Sequence, residues 1–247
     1  MIMTYTKRLL SAILICTFAY TASHAAELTR AQIEQMLAKA DPQHPADLRR
    51  KDLTELDLSG LDFRHADLWG ADLRRANLNN CNLSGLVLDL TVMTNIKLKH
   101  ANLANTSIFG VSLMHADLSD ADLSGSRVIA VMEGANLQNA NLSNIDWAAD
   151  MKNQSMGLMR ANLKGANLSG ANLSHAKLGR AMLRHAKFIK ANLQYADLYS
   201  AEMDGADFSG ADLSAANFAS TKLHDAIFTN ANTSGTRFDN AVNKPDF

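Results

Sequence analysis

From Ala161 onward an apolar residue recurs every five positions: Leu163, Leu168, Leu173, Leu178, Leu183, Phe188, Leu193, Leu198, Met203, Phe208, Leu213 and Phe218. Alanine stands two places before each one. The same frame starts near Leu48 and runs through Leu53, Leu58, Phe63, Leu68, Leu73, Leu78 and Leu83 to Val128. A period of five suits neither an α-helix, which repeats its apolar face at three, four and seven, nor a strand with strict alternation. Within each unit Ala and Leu point to one side across a short extended stretch. The next two residues turn a corner, and Ser59-Gly60, Ser84-Gly85 and Ser209-Gly210 suit that turn. A unit this short cannot bury its apolar face alone, but stacked coils can, which predicts a solenoid.

The pattern A(D/N)LXX resembles that of the pentapeptide-repeat family. The resemblance implies an all-β solenoid, a right-handed quadrilateral β-helix with four repeats in each coil. Coils of about 20 residues stacked about 4.8 Å apart give roughly nine to ten coils over residues 48–240. Residues one coil apart should then stack. Phe188, Phe208 and Phe228 form one expected aromatic ladder inside the rod, and Phe218 and Phe238 a second on the opposite side. Thr91, Ile96, Thr106 and Val111 replace the inner alanine, so those coils should be wider or distorted.

Four segments follow from this reading: a signal peptide over 1–25, a capping helix and linker over 26–45, the β-helix over 46–243 and a tail over 244–247. Lys7 and Arg8 precede an apolar run from Leu9 to Tyr20, and Ser23-His24-Ala25 suits cleavage after Ala25. The run is shorter than the roughly 20 residues a membrane-spanning helix needs. The mature chain is therefore expected in the periplasm or outside the cell. Thr29 with Gln32 makes a capping box, Leu28 with Ile33 a hydrophobic staple, and Pro42 ends the helix. That helix should cover the open first coil. The last good repeat centres on Phe238 with no comparable cap, which suggests a homodimer through the C-terminal end.

The frame slips after Val128 and slips back between Trp147 and Leu158. The two defects, around Val131–Gly134 and Ala149–Met156, should sit on one side of adjacent coils. An apolar line of Trp69, Phe109, Ile129 and Ile189 shares one edge by a 20-residue count.

The chain carries a formal net charge of -1, so no global basic surface for nucleic acid exists. Charge is instead banded. Acidic residues are absent from Met151 to Ala196, where Arg160, Lys164, Arg180 and Arg184 should form a rectangle over two coils. Stacked like charges repel, and a bound anion or acidic partner would offset that. His65, His100, His115, His175 and His185 point outward at corners without convergent spacing, so no metal site is expected. Cys81 takes an inward-facing position. No catalytic constellation, phosphate loop or cofactor motif is present.

These features predict an exported, non-catalytic scaffold that presents a binding surface to a protein or an anionic envelope component. Two alternatives remain open: a secreted effector, or a DNA-mimic inhibitor or protector of a DNA topoisomerase, which the family resemblance supplies. The leader and the basic band weigh against mimicry of an anionic duplex.

Overall fold

The computed structural model describes residues 27–150 and 159–244. The expected leader, the residues 151–158 of the second defect and the final 245–247 lie outside the described residues. No helix among the described residues is long and apolar enough to cross a membrane.

The repeat region is a four-sided solenoid of parallel coils. Ala46–Asp47 (β1) pairs with Ala66–Asp67 (β2), and bridges Asp52↔Asp72, Asp57↔Asn77 and Asp62↔Asn82 complete the four sides of the first turn. We number the faces one to four in that order. Each face holds together through backbone bonds between coils, as in Leu83 N–H to Asn102 O at 2.7 Å and Asn102 N–H to Cys81 O at 2.9 Å. Three donors per repeat bond to the next and previous coils, the third as in Gly85 N–H to Ala104 O at 2.9 Å, which leaves few backbone groups unpaired.

The interior contains the central Leu, Phe and Met of each repeat with the Ala two before it, nearly all of them inaccessible to water. Burying one such leucine is worth about 1.5–3 kcal/mol, so the core supplies the driving force. Both phenylalanine ladders form. Phe188, Phe208 and Phe228 stack on face three at 4.9 and 5.0 Å, while Phe218 and Phe238 lie 5.3 Å apart on face one. The two ladders meet edge-to-face, with Phe208 and Phe218 5.5 Å apart.

Polar inner residues are accommodated without distortion of the ladder. Thr91 Oγ1 donates to Leu88 O at 2.7 Å and Thr106 Oγ1 to Leu103 O at 2.9 Å. Distortion is found instead where Val111 replaces the inner Ala. There Ser107–Ser112 (β3) runs straight through a corner and pairs with Arg127–Val131 (β4), with a register shift between Phe109 and Val111. Gly110, at φ 69, is the extra residue that lets β3 match its shorter neighbour. The first slip therefore lies opposite Ile129 and Ala130, just before the expected Val131–Gly134.

At the N-terminus Arg30–Leu37 (α1) ends ahead of Pro42. The capping box of Thr29 and Gln32 is present. Ile33 is fully buried in the core cluster, with Leu28, Met36 and Leu37 against it. Arg30 reaches past the helix to donate to Asp57 O at 3.0 Å and Ser59 O at 3.1 Å.

Candidate interaction edge

The residue before each central leucine explains why the repeat prefers Asp or Asn. Its side-chain oxygen accepts the backbone N–H two residues on and so closes the corner, as in Asp57 with Ser59 at 3.1 Å and Asn172 with Ser174 at 3.1 Å. Serine at the second position adds its hydroxyl, as in Ser214 Oγ to Asp212 Oδ1 at 2.7 Å. Asparagine amides then link coils: Asn141 Nδ2 donates to Asp122 at 3.0 Å and Asn192 Nδ2 to Asn172 at 3.3 Å.

Face four keeps this residue type in every described coil: Asp62, Asn82, Asn102, Asp122, Asn141, Asn172, Asn192, Asp212 and Asn232. Face two does not. Its equivalents after Asp52 and Asp72 are Val92, Ser112, Val131, Asn162, Met182, Glu202, Lys222 and Val242. Face one loses the cap at Val87, Ser107, Arg127, Lys177 and Arg237, and face three at Lys97, Lys187 and Ile227. Valine and methionine cannot accept the corner N–H, so these sites give up a hydrogen bond worth about 1 kcal/mol. The valines also stand in water: Val87 is 56% exposed, Val131 39% and Val92 37%.

The edge between faces one and two gathers further departures. Leu90 sits at this corner with φ 61 and is 51% exposed. A β-carbon in that left-handed region costs about 1–2 kcal/mol, and Leu90 covers Gly110 with only part of its side chain. The β3 bulge, the short β4 repeat and the second irregularity all fall on the same edge. The second irregularity is an insertion: Asn136 pairs with Asn167, 31 residues on, where most pairs, such as Asn82↔Asn102, are 20 apart. The chain stays in the coil through Ala149, whose N–H reaches Gly179 O at 3.0 Å, and an antiparallel bridge between Asp150 and Met159 flanks the insertion. The described flanks of the second defect thus sit beside the β3–β4 bulge. Between them lies a groove of ≈ 440 Å³ whose lining includes Gly110, Ile129, Val131, Met159, Arg160 and Met182.

The insertion also corrects the expected apolar line. The β4 coil is one residue short and the next is eleven residues too long, so later residues are displaced by half a coil. Ile189 follows Phe188 on face three, opposite Trp69 and Phe109, and Tyr199 takes its place on the edge. Ile129 lies on the line but is buried, 3% exposed, where the bulge folds β3 and β4 over it.

The four basic residues do form a rectangle around face two, with Arg160 and Arg180 on one edge and Lys164 and Arg184 on the other. Arg160 Nη1 is 3.4 Å from Arg180 O. Flanking coils supply carboxylates that sequence counting within the band could not see. Arg160 meets Glu202 at 3.1 Å, Lys164 meets Glu133 at 3.3 Å and Arg184 meets Asp204 at 3.7 Å. Arg180 instead lies over the Tyr199 ring at 5.8 Å. The repulsion expected to call for an external anion is largely offset internally, so the quartet is a weaker anion site than its spacing suggests.

The remaining titratable groups give no catalytic arrangement among the described residues. Cys81 is buried with Sγ 3.1 Å from Leu58 O, and burial pushes its thiol up to about 11, which makes it inert at neutral pH. The five corner histidines are exposed, and no cluster among the described residues could hold a metal ion.

The family model for pentapeptide repeats matches in eight copies spanning 46–125 and 158–242. The chain belongs to the pentapeptide-repeat family. Its coils thus form a right-handed quadrilateral β-helix. Among solved structures, a trypsin-treated form of QnrB1, a plasmid-mediated fluoroquinolone resistance protein, is 22% identical over 76% of this chain and 91% of that one, with TM-score 0.62. HetL, a pentapeptide repeat protein involved in heterocyst differentiation regulation from Nostoc sp. strain PCC 7120, is 27% identical over 85% and 94%, with TM-score 0.34. The QnrB1 likeness is one of fold. No curated protein matches the sequence.

Proposed function

We propose that this pentapeptide-repeat protein is an exported, non-catalytic scaffold whose edge between faces one and two docks a protein partner. One observation carries the reading: most of the exposed aliphatic residues outside the last coils, Val87, Leu90, Val92 and Val131, gather on that edge, while face four keeps Asp or Asn before every described central residue. A solenoid gains nothing from Val87, Leu90, Val92 and Val131 in water, whereas a partner that covers them does. The leader over 1–25 supports export to the periplasm or the medium. The α1 helix acts as the N-terminal cap, since Ile33 seals the first coil. At the other end Ile227 and Val242 are 45% and 54% exposed, which suits a second copy packed end to end. An anionic envelope component is the less favoured partner, because Glu133, Glu202 and Asp204 already pair with the basic quartet.

The test places a photo-crosslinking residue at Val87, Leu90 or Val131 in the native cell, and at Asn102 or Asn192 on face four as a control. Adducts from the edge alone, on a chain whose N-terminus is Ala26, are the expected result. Equal adducts from both sides would remove the edge from the account. An uncleaved cytosolic chain would remove export and bring topoisomerase binding back into view.

A further inference from the structure

Away from the groove, face one carries a second departure from the repeat. The corner between faces four and one is occupied, coil after coil, by Gly85, Asn105, Gly125 and Asn144, residues suited to its positive φ. In the next two coils His175 and Tyr195 stand there at φ 57 and 59. Their rings stack at 5.0 Å with planes 5° apart, and Tyr195 is 60% exposed. Across the same face Tyr199 is 42% exposed, with Arg180 over its ring. Bulky rings in strained corners and in water contribute little to folding.

Between the two tyrosines the surface is hydrogen-bonding and contains no exposed aliphatic side chain. Lys177 is exposed there, with Asp197 one coil above it. Asp197 accepts from Tyr199 N–H at 3.1 Å and from Asn217 Nδ2 at 2.9 Å but keeps its charge, while Asp146, one coil below Lys177, is paired with Arg127 at 2.8 Å. Among the described residues neither Lys177 nor Arg180 has an ion pair, in contrast to Arg160, Lys164 and Arg184. The local charge left for a ligand is positive. The site is a flat face, not a cavity, which suits a linear polymer better than a small molecule.

We infer that this face binds an acidic polysaccharide, with sugar rings lying on Tyr195 and Tyr199 and their carboxylates beside Lys177 and Arg180. The aromatic faces supply apolar platforms for ring C–H groups, and the cations set the sign of the charge. A protein segment would need aliphatic contacts that this face lacks and the groove edge has. Tyr199 and Arg180 stand on the edge assigned above to a protein partner, so the two ligands would exclude one another there.

The experiment uses the chain from Ala26 in a sedimentation assay with polygalacturonate, with dextran as an uncharged sugar and poly-L-glutamate as a sugar-free polyanion. Retention on polygalacturonate alone is expected. Tyr195→Asn with Tyr199→Ser should weaken it about tenfold, the loss of two stacking contacts. Lys177→Ser with Arg180→Ser should weaken it comparably, and that deficit should grow as salt is lowered. Tyr195→Asn suits the corner geometry, so melting temperature should hold or rise, which separates lost binding from lost folding. No wild-type retention, equal retention on poly-L-glutamate, or full binding by the tyrosine variant would each overturn the inference.

Discussion

Face four and the edge between faces one and two share one interior and differ in what they show to water. On face four, Asp or Asn closes the corner and links to the next coil. On the edge those residues give way to valine, methionine and leucine, and the coil itself is bulged, shortened and then interrupted. Folding needs only the inward Ala and Leu positions, which both regions keep apolar. The outward residue is where the chain can give up stability for another purpose, and most of the exposed apolar replacements fall on one side.

Core substitutions should show that the interior does not distinguish the two sides. Leu142→Ala under face four and Met132→Ala under face two should each cost about 3 kcal/mol in denaturant unfolding. A loss at Met132 below about 1 kcal/mol would mean that the bulged coil is loosely packed, and would weaken the contrast. Capping substitutions should then separate the sides. Asn141→Ala removes a corner acceptor and an inter-coil donor, for an expected cost of about 1–2 kcal/mol. Leu90→Asn should instead gain about 1 kcal/mol by suiting the left-handed corner. A destabilised Leu90→Asn would mean that its packing beside Gly110 matters to the fold.

Acid gives the smallest and most local effect. Hydrogen bonds from the Arg49 side chain hold Asp47 down to about 2, and those from Ser59 and Arg64 lower Asp57 and Asp62. Burial tends to raise Asp212, but Ser214, Gln194 and Asn232 outweigh it and leave it lowered. Groups lowered on folding stabilise the fold above their unfolded value of 3.8, and that contribution fades as pH falls toward about 2. Hydrogen exchange at about pH 2.5 should therefore loosen the corners of Asp57, Asp62 and Asp212 while those of Asn172, Val92 and Val131 stay unchanged. Uniform loosening would mean that acid acts on the whole solenoid.

Most of the fold is legible in the sequence because a five-residue period leaves few alternatives, and stacking follows from adding 20. The phenylalanine ladders, inward Cys81, outward histidines and capping box of Thr29 all obey that arithmetic or the local capping rule. Past Trp147 the same arithmetic misplaces Ile189, because the insertion turns the rod by half a coil and its length is visible only once Asn136 is paired with Asn167. The basic quartet is legible as a pattern, but its neutralisation is not, since Glu133 and Asp204 lie outside the band and reach it only through stacking. The apolar edge does leave a mark in the sequence: the absence of Asp or Asn before the central residue at Val87, Val92, Val131 and Met182.

The central claim is that those residues are kept at the expense of the fold. Thermal unfolding of the chain carrying Val92→Asp, Val131→Asn and Met182→Asn tests it without knowledge of any partner. The account predicts a higher melting temperature than the wild type, because three corners regain their caps and three apolar side chains leave water. A lower melting temperature would show that the valines and the methionine hold the coils together, and would contradict the claim.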